Sequence, residues 1–349
     1  MKDSTKKGWT EIHTSVLLAF VLASVSSGCG PGSSASGAVG RGATDGPLAA
    51  DGRSGADASP SQAQIRRHAG GFPIRAVCTI GMVADLAVNV GGSRVAVEGI
   101  MGEGVDPHLY KASPGDLQRL GSADIIFYNG LHLEGKMADI LVRLARTRPT
   151  FAVTEDLPPE LLREPPEFQG QYDPHVWFDV SLWARCLDRV VHVLAEFDPP
   201  HAGEYRERGS AYRKRLEALH GEVKKQLAEI PPGGRVLVTA HDAFGYFGRA
   251  YEVEVRGIQG MSTDAEAGVR ELSRLADFIA ERKLKAVFVE TSVPERFVRA
   301  LVEGCQARGH RVVIGGQLYS DAMGKPGTPE GTYEGMVRRN VDTIVRALQ

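Results

Sequence analysis

One apolar stripe divides this chain in two. In HAGEYRERGSAYRKRLEALHGEVKKQLAEIPPGG, residues 201–234, Tyr205, Tyr212, Leu216, Leu219, Val223, Leu227 and Ile230 recur at intervals of three, four and seven. Those intervals put every one of them on the same face of a single helix. Pro199-Pro200 stand before the stripe, and Pro231-Pro232 with Gly233-Gly234 close it, so both ends carry their own stop signals. At about 1.5 Å per residue the helix spans roughly 40 Å, the length of a domain. Whatever lies on either side is joined by a stiff strut.

The flanking segments share one style. On the N-terminal side FPIRAVCTIGMVADLAVNV, RVAVEGIMG, PGDLQRLGS, ADIIFYNG, a helix from about Leu133 to Leu144, and TFAVTE alternate short apolar runs with amphipathic stretches. On the C-terminal side RVLVTAH, YEVEVRGIQG, EAGVRELSRLADFIAERK, LKAVFVETSV, ERFVRALVEGCQARG and HRVVIGGQLYSD do the same. That alternation is the signature of parallel strands with crossover helices, so the expected fold is α/β, two (β/α) lobes with parallel sheets. VEGIMG and VRGIQG each end a strand and lead through a loop and helix into another apolar strand, a faint internal echo. A length of 349 residues also asks for more than one core.

The N-terminus reads as an export signal. Lys2, Lys6 and Lys7 precede a short apolar run, too short for a comfortable membrane span, which ends at Ser27-Gly28-Cys29. This resembles a bacterial lipoprotein processing site with Cys29 as the lipidated residue, although Ser26 stands where such sites usually carry Leu or Val; ordinary signal-peptidase cleavage is the alternative. Residues 30–71, rich in Gly, Ser, Ala and Asp, hold too few large apolar side chains to offset their ordering entropy and read as a tether. The expected organisation is therefore signal peptide 1–28, lipidated Cys29 and tether to 71, first lobe 72–200, linking helix 201–232 and second lobe 233–349.

Charge and cysteine content narrow the function. With 41 basic and 43 acidic residues the formal charge is -2, and no basic stripe with interleaved aromatics is present, so nucleic acid is not an expected partner. Cys78, Cys186 and Cys305 are widely spaced in segments patterned for burial and read as small core hydrophobes. Any metal must then be held by nitrogen and oxygen.

Two Asp-Pro-His tripeptides, Asp106-Pro107-His108 and Asp173-Pro174-His175, supply the nitrogen. Proline fixes the local backbone in each and removes a competing amide donor. His241 directly follows the buried run RVLVTA, and Asp321 follows VVIGGQLYS; both positions are carboxyl ends of strands, where ligands collect in open α/β sheets. Three imidazoles and a carboxylate suit Zn²⁺, Mn²⁺ or Fe²⁺, with Asp106, Asp173 and Asp242 expected to orient the rings. Taken singly, each of these histidines would more often be a packed or hydrogen-bonded residue than a ligand, and it is their joint placement at strand ends and turns that points to a metal.

GEGVDPHLYKASPGDLQRLGSADIIFYNGLHLE, YDPHVWFDVSLW, RVLVTAHDAFGYFGRAY, AVFVETSVP and YSDAMGKPGTPEGTYEGMVRRNVDTIV resemble the zinc and manganese solute-binding proteins of ABC transporters, from about Phe72 to the C-terminus. The resemblance implies two (β/α) lobes bridged by one long helix, with the metal in the cleft between them. It implies His108, His175, His241 and Asp321 as ligands, a transporter permease and its ATPase as partners, and a monomeric, membrane-anchored lipoprotein in the periplasm or at the cell surface. His132, in NGLHLE, stands where relatives carry a different residue, so it is expected near the site rather than on the metal. Glu290, ending AVFVE, is expected to accept hydrogen bonds from loop amides.

Two other readings compete. A zinc hydrolase would leave an open position for water, but four protein ligands fill a tetrahedral shell, and neither HExxH nor GxSxG occurs. Adhesion to a host surface has no residue pattern for or against it. Between metals, intrinsic affinity favours zinc over manganese at nitrogen sites, and Fe²⁺ is the less expected ion. The acidic stretch EDLPPELLREPPEFQGQ contains no histidine where zinc-dedicated relatives often carry many, which keeps manganese open.

Overall fold

The computed structural model describes residues 65–168 and 170–349. The expected signal segment, Cys29 and the expected tether as far as residue 64 lie outside the described residues. Among those described, no helix is long and apolar enough to cross a membrane.

The first lobe runs β1 (Ile74–Cys78), α1 (Gly81–Gly91), β2 (Val95–Gly99), α2 (Pro114–Ser122), β3 (Ile125–Tyr128), α3 (Ala138–Ala145) and β4 (Thr150–Ala152). Its sheet is parallel throughout, in the order β2-β1-β3-β4. The helix expected from Leu133 starts five residues later. Leu131 and His132 adopt left-handed backbone (φ 52° and 63°), and a 3-10 turn occupies Gly135–Met137 before α3 begins. Glu134 is the cause: its buried carboxylate accepts the Thr79 hydroxyl at 2.6 Å and the amides of Asn129 and Gly130 at 2.7 and 3.2 Å, folding the chain back on itself. Gly130, at φ 90°, has Thr154 Oγ1 only 2.7 Å from where a Cβ would sit.

One long helix connects the lobes. After α4 (Val180–Phe197) comes α5 (Ala202–Leu227), the strut read from the apolar stripe, five residues shorter at its C-terminal end than expected because the chain turns before Pro231. All seven stripe residues, from Tyr205 to Ile230, are buried.

The second lobe runs β5 (Val236–His241), α6 (Gly245–Tyr251), β6 (Glu254–Gln259), α7 (Val269–Arg282), β7 (Ala286–Glu290), α8 (Arg296–Ala307), β8 (Val313–Leu318) and α9 (Tyr333–Leu348). Parallel pairs β5-β6 and β7-β8 lie side by side through β5 and β7. The spatial order β6-β5-β7-β8 thus repeats the first lobe's order, and the VEGIMG and VRGIQG echo falls on the corresponding strands β2 and β6. Side-chain alternation splits this lobe between two cores. Leu237, Ala286 and Phe288 join the large core that takes in α4, α5 and α9, whereas Val236, Val238, Val287 and Val289 face the smaller core under α7 and α8. α5 packs on α1 of one lobe and α9 of the other, so one continuous apolar body backs the cleft.

The folded body begins earlier than Phe72, which corrects the tether boundary. Ile65 packs against the large core, the His68 amide donates to Phe197 O at 2.6 Å, and the His68 ring stands against Phe72 and Phe197. Composition averaged over the segment hides one isoleucine and one histidine that have a surface to meet. Cys78, Cys186 and Cys305 are buried and unpaired, and burial pushes the Cys78 and Cys186 thiols well up, as inert core residues require.

Candidate metal centre

Each Asp-Pro-His folds by the same local device. Asp106 Oδ1 accepts the His108 amide at 2.9 Å and Asp173 Oδ1 accepts the His175 amide at 3.0 Å, an Asx turn in which proline brings no amide of its own to compete. The loop carrying His108 is pinned at its far end by Asp116, which takes the Tyr110 hydroxyl and the Ser113 amide and completes a capping box on α2. His175 enters a single 3-10 turn, Val176–Phe178, that stops where Asp179 caps α4 through the Ser181 and Leu182 amides. His241 is the last residue of β5, and Asp321 follows β8 by three residues.

These elements bring His108, His175, His241 and Asp321 together in the cleft, with one donor atom from each within 4.8 Å of all the others. The first two come from the N-terminal lobe and the last two from the C-terminal lobe. All four are buried. His108 Nε2 lies 3.2 Å from His175 Nε2, His175 Nε2 lies 3.4 Å from Asp321 Oδ1, and His241 Nε2 lies 3.3 Å from Asp321 Oδ2.

The opposite edges of two rings are committed. His175 Nδ1 donates to Asp173 Oδ1 at 2.8 Å and His241 Nδ1 donates to Glu290 Oε2 at 2.5 Å. That fixes each tautomer so that, in the neutral ring, the Nε2 lone pair faces the cluster. His241 Nε2 and Asp321 Oδ1 are buried with no hydrogen-bond partner. Inward-facing nitrogens around a carboxylate suit a cation, and without one protons fill the role. Burial by itself lowers the affinity of His175 for a proton, but Asp173 and Asp321 outweigh it and raise its pKa to about 9. For His241, burial is likewise overcome by Glu290 and Asp321, and its pKa lies well above the usual imidazole range. Asp321 is held well below the carboxylate range: burial opposes its charge, and the His241 and His175 rings prevail. His108 goes the other way, lowered to about 3 chiefly by burial.

The neighbouring residues divide differently from the expectation. Asp173 orients a ring, but Asp106 holds only a backbone amide and spends its other oxygen on the Thr263 hydroxyl, at 2.6 Å. Asp242 hydrogen-bonds no ring; burial and the Asp173 charge raise its pKa, and the partner of His241 is Glu290 instead. Glu290 accepts one amide, that of His241 itself at 3.0 Å, besides the ring. His132 is exposed and stands apart from the four, at the wall of a cavity of about 320 Å³ that also borders His108, Lys136 and Asp264. Sequence reasoning missed Glu134 and Thr263, and also Ser292, whose hydroxyl lies 3.3 Å from Asp321 Oδ2. Nothing in their local sequence separates them from ordinary loop residues.

The family model described as ZnuA, the periplasmic zinc-uptake complex component A, matches residues 76–347. The chain belongs to this family. Among its relatives, the manganese-binding lipoprotein MntA of Bacillus subtilis (strain 168) is 48% identical over 277 residues, 79% of this chain and 90% of that one. The zinc-binding protein TroA of Treponema pallidum (strain Nichols) is 50% identical over 272 residues, 78% and 88% of the two chains. The metal ABC transporter substrate-binding lipoprotein SloC of Streptococcus mutans is 28% identical over 278 residues, 78% and 89% of the two chains. The solved structure of TroA matches with a TM-score of 0.77, covering 80% of this chain and 99% of that one. The two-lobe architecture is therefore the family's own. Two members of nearly equal identity carry manganese in one name and zinc in the other.

Proposed function

We propose that this protein is an extracytoplasmic receptor that captures a divalent transition metal, zinc or manganese, as cargo and delivers it to an ABC transporter permease powered by an ATPase. His108, His175, His241 and Asp321 are the ligands in this reading. The observation that carries it is the convergence of three imidazoles on a buried carboxylate, with His241 Nε2 and Asp321 Oδ1 left without partners. A buried polar atom without a partner is costly unless a ligand completes it. Nitrogen and carboxylate donors without thiolate match the two ions named for the relatives.

Delivery rather than catalysis follows from the donor count. Four protein donors fill zinc's tetrahedral shell and leave no seat there for an activated water, so a zinc hydrolase is disfavoured, and adhesion has no observation behind it. The names of MntA and SloC as lipoproteins support a membrane anchor at Cys29, with the folded body acting as a monomer behind the tether. Elemental analysis of protein purified without chelator tests the reading. The expected result is a single zinc or manganese ion per chain, lost in Asp321→Ala; wild-type protein that takes up neither ion would overturn it.

A further inference from the structure

The two Asp-Pro-His turns are built alike but finished differently. Asp173 spends its carboxylate on the amide and the ring of His175, and on Arg163, all within its own lobe. Asp106 gives its Oδ1 to the His108 amide and its Oδ2 to a residue 157 positions away, Thr263, in the loop after β6 of the opposite lobe. That loop and the loop carrying His108 follow corresponding strands, β6 and β2, so the internal repeat sets them face to face across the cleft. Thr263 is buried, and beside it Lys136 and Asp264 pair at 3.0 Å at the more exposed rim.

His108 is also the least anchored of the three rings. His175 and His241 each give an edge to a carboxylate, whereas the His108 ring meets none among the described residues. Of the four cluster residues it alone borders the cavity at the cleft mouth. Its position is set by its backbone, and its backbone by Asp106.

We propose that the Asp106–Thr263 hydrogen bond is a cross-cleft latch that positions His108, so that parting of the two loops withdraws His108 first and sets the rate at which the metal leaves. Asp106 and Thr263 are thus positioning residues for metal exchange. The proposal rests on the metal-receptor reading above.

The test is stopped-flow release of Zn²⁺, and separately Mn²⁺, from the loaded full-length protein into excess chelator. A hydrogen bond to a charged acceptor commonly carries a factor of about ten or more. Thr263→Ala is expected to release metal about tenfold faster. Thr263→Ser, which keeps the hydroxyl, should stay near wild type, and Asp106→Ala, which loses both hydrogen bonds, should match or exceed Thr263→Ala. In a His108→Ala background, adding Thr263→Ala should change the rate little, because the latch then has no ligand to hold. An unchanged rate in Thr263→Ala, or a serine variant as fast as the alanine one, overturns the latch. Equal acceleration with and without His108 overturns the route through His108. Failure of wild-type protein to load metal would instead sink the receptor reading, a separate outcome.

Discussion

His241 and Glu290 are joined twice: the His241 amide donates to Glu290 Oε1 at 3.0 Å, and its ring Nδ1 donates to Oε2 at 2.5 Å. The two residues end the adjacent strands β5 and β7, so the bidentate grip ties the sheet edge and the ring to a single carboxylate. Glu290→Gln leaves one acceptor oxygen for two donors and removes the charge that makes the ring a strong ligand. Metal affinity is expected to fall about 10- to 100-fold, the usual effect of losing such a partner, with the fold intact. Competition with a fluorescent chelator measures it, and unchanged affinity would mean that packing alone orients His241.

Ligands from opposite lobes make the metal a staple between them. Metal at a thousandfold excess over its dissociation constant should stabilise the protein by about 4 kcal/mol. His241→Ala or Asp321→Ala should remove most of the metal-induced rise in Tm, and His132→Ala, exposed and outside the cluster, should keep it. Thermal unfolding with and without Zn²⁺ or Mn²⁺ decides; loss of the shift in His132→Ala with its retention in His241→Ala would put the site elsewhere.

Proton competition sets the pH dependence. His175, with a folded pKa of about 9 in the metal-free protein, and His241, raised in the same direction, must each lose a proton before binding. His108, lowered to about 3, is already neutral. Metal affinity should therefore rise with pH until both rings have lost their protons, His175 doing so at about pH 9. The metal-free protein should behave oppositely. Its raised histidines contribute stability that is fully present below about pH 6.5 and lost as pH rises through their folded pKa. Dissociation constants and metal-free Tm values measured across this range check both slopes, and a flat affinity profile would exclude the assignment.

The internal repeat supplies its own control. In β6, a Cβ on Gly257 would sit 2.4 Å from the Asp242 amide nitrogen and 2.7 Å from the His241 carbonyl carbon, whereas one on Gly99, the matching residue of β2, meets nothing within 4 Å. Gly257→Ala should cost about 1–3 kcal/mol through backbone displacement and weaken metal binding by moving His241. Gly99→Ala should stay within about 0.5 kcal/mol of wild type. Denaturant melts of the two variants test this, and equal effects would show that β6 yields without disturbing β5.

Much of this architecture was legible because the relevant physics is local. The α5 stripe, the strand and helix alternation and both Asp-Pro-His turns depend on residues a few positions apart, where periodicity and Asx geometry act directly. The four cluster residues could be nominated for the same reason, each marked by a strand end or a turn. The boundary errors at Leu133 and at Ile65–Gly71 came from partners elsewhere in the chain: Thr79 for Glu134, Phe197 for His68. What orients the rings was decided only by tertiary structure. Asp106, Asp173 and Asp242 look equivalent beside their histidines, yet one reaches across the cleft, one holds a ring and one holds neither. Glu290 lies 49 residues from His241 and becomes its partner because β5 and β7 are neighbours, an adjacency set by how the sheet packs against α5 and α9 and written in no short stretch of sequence.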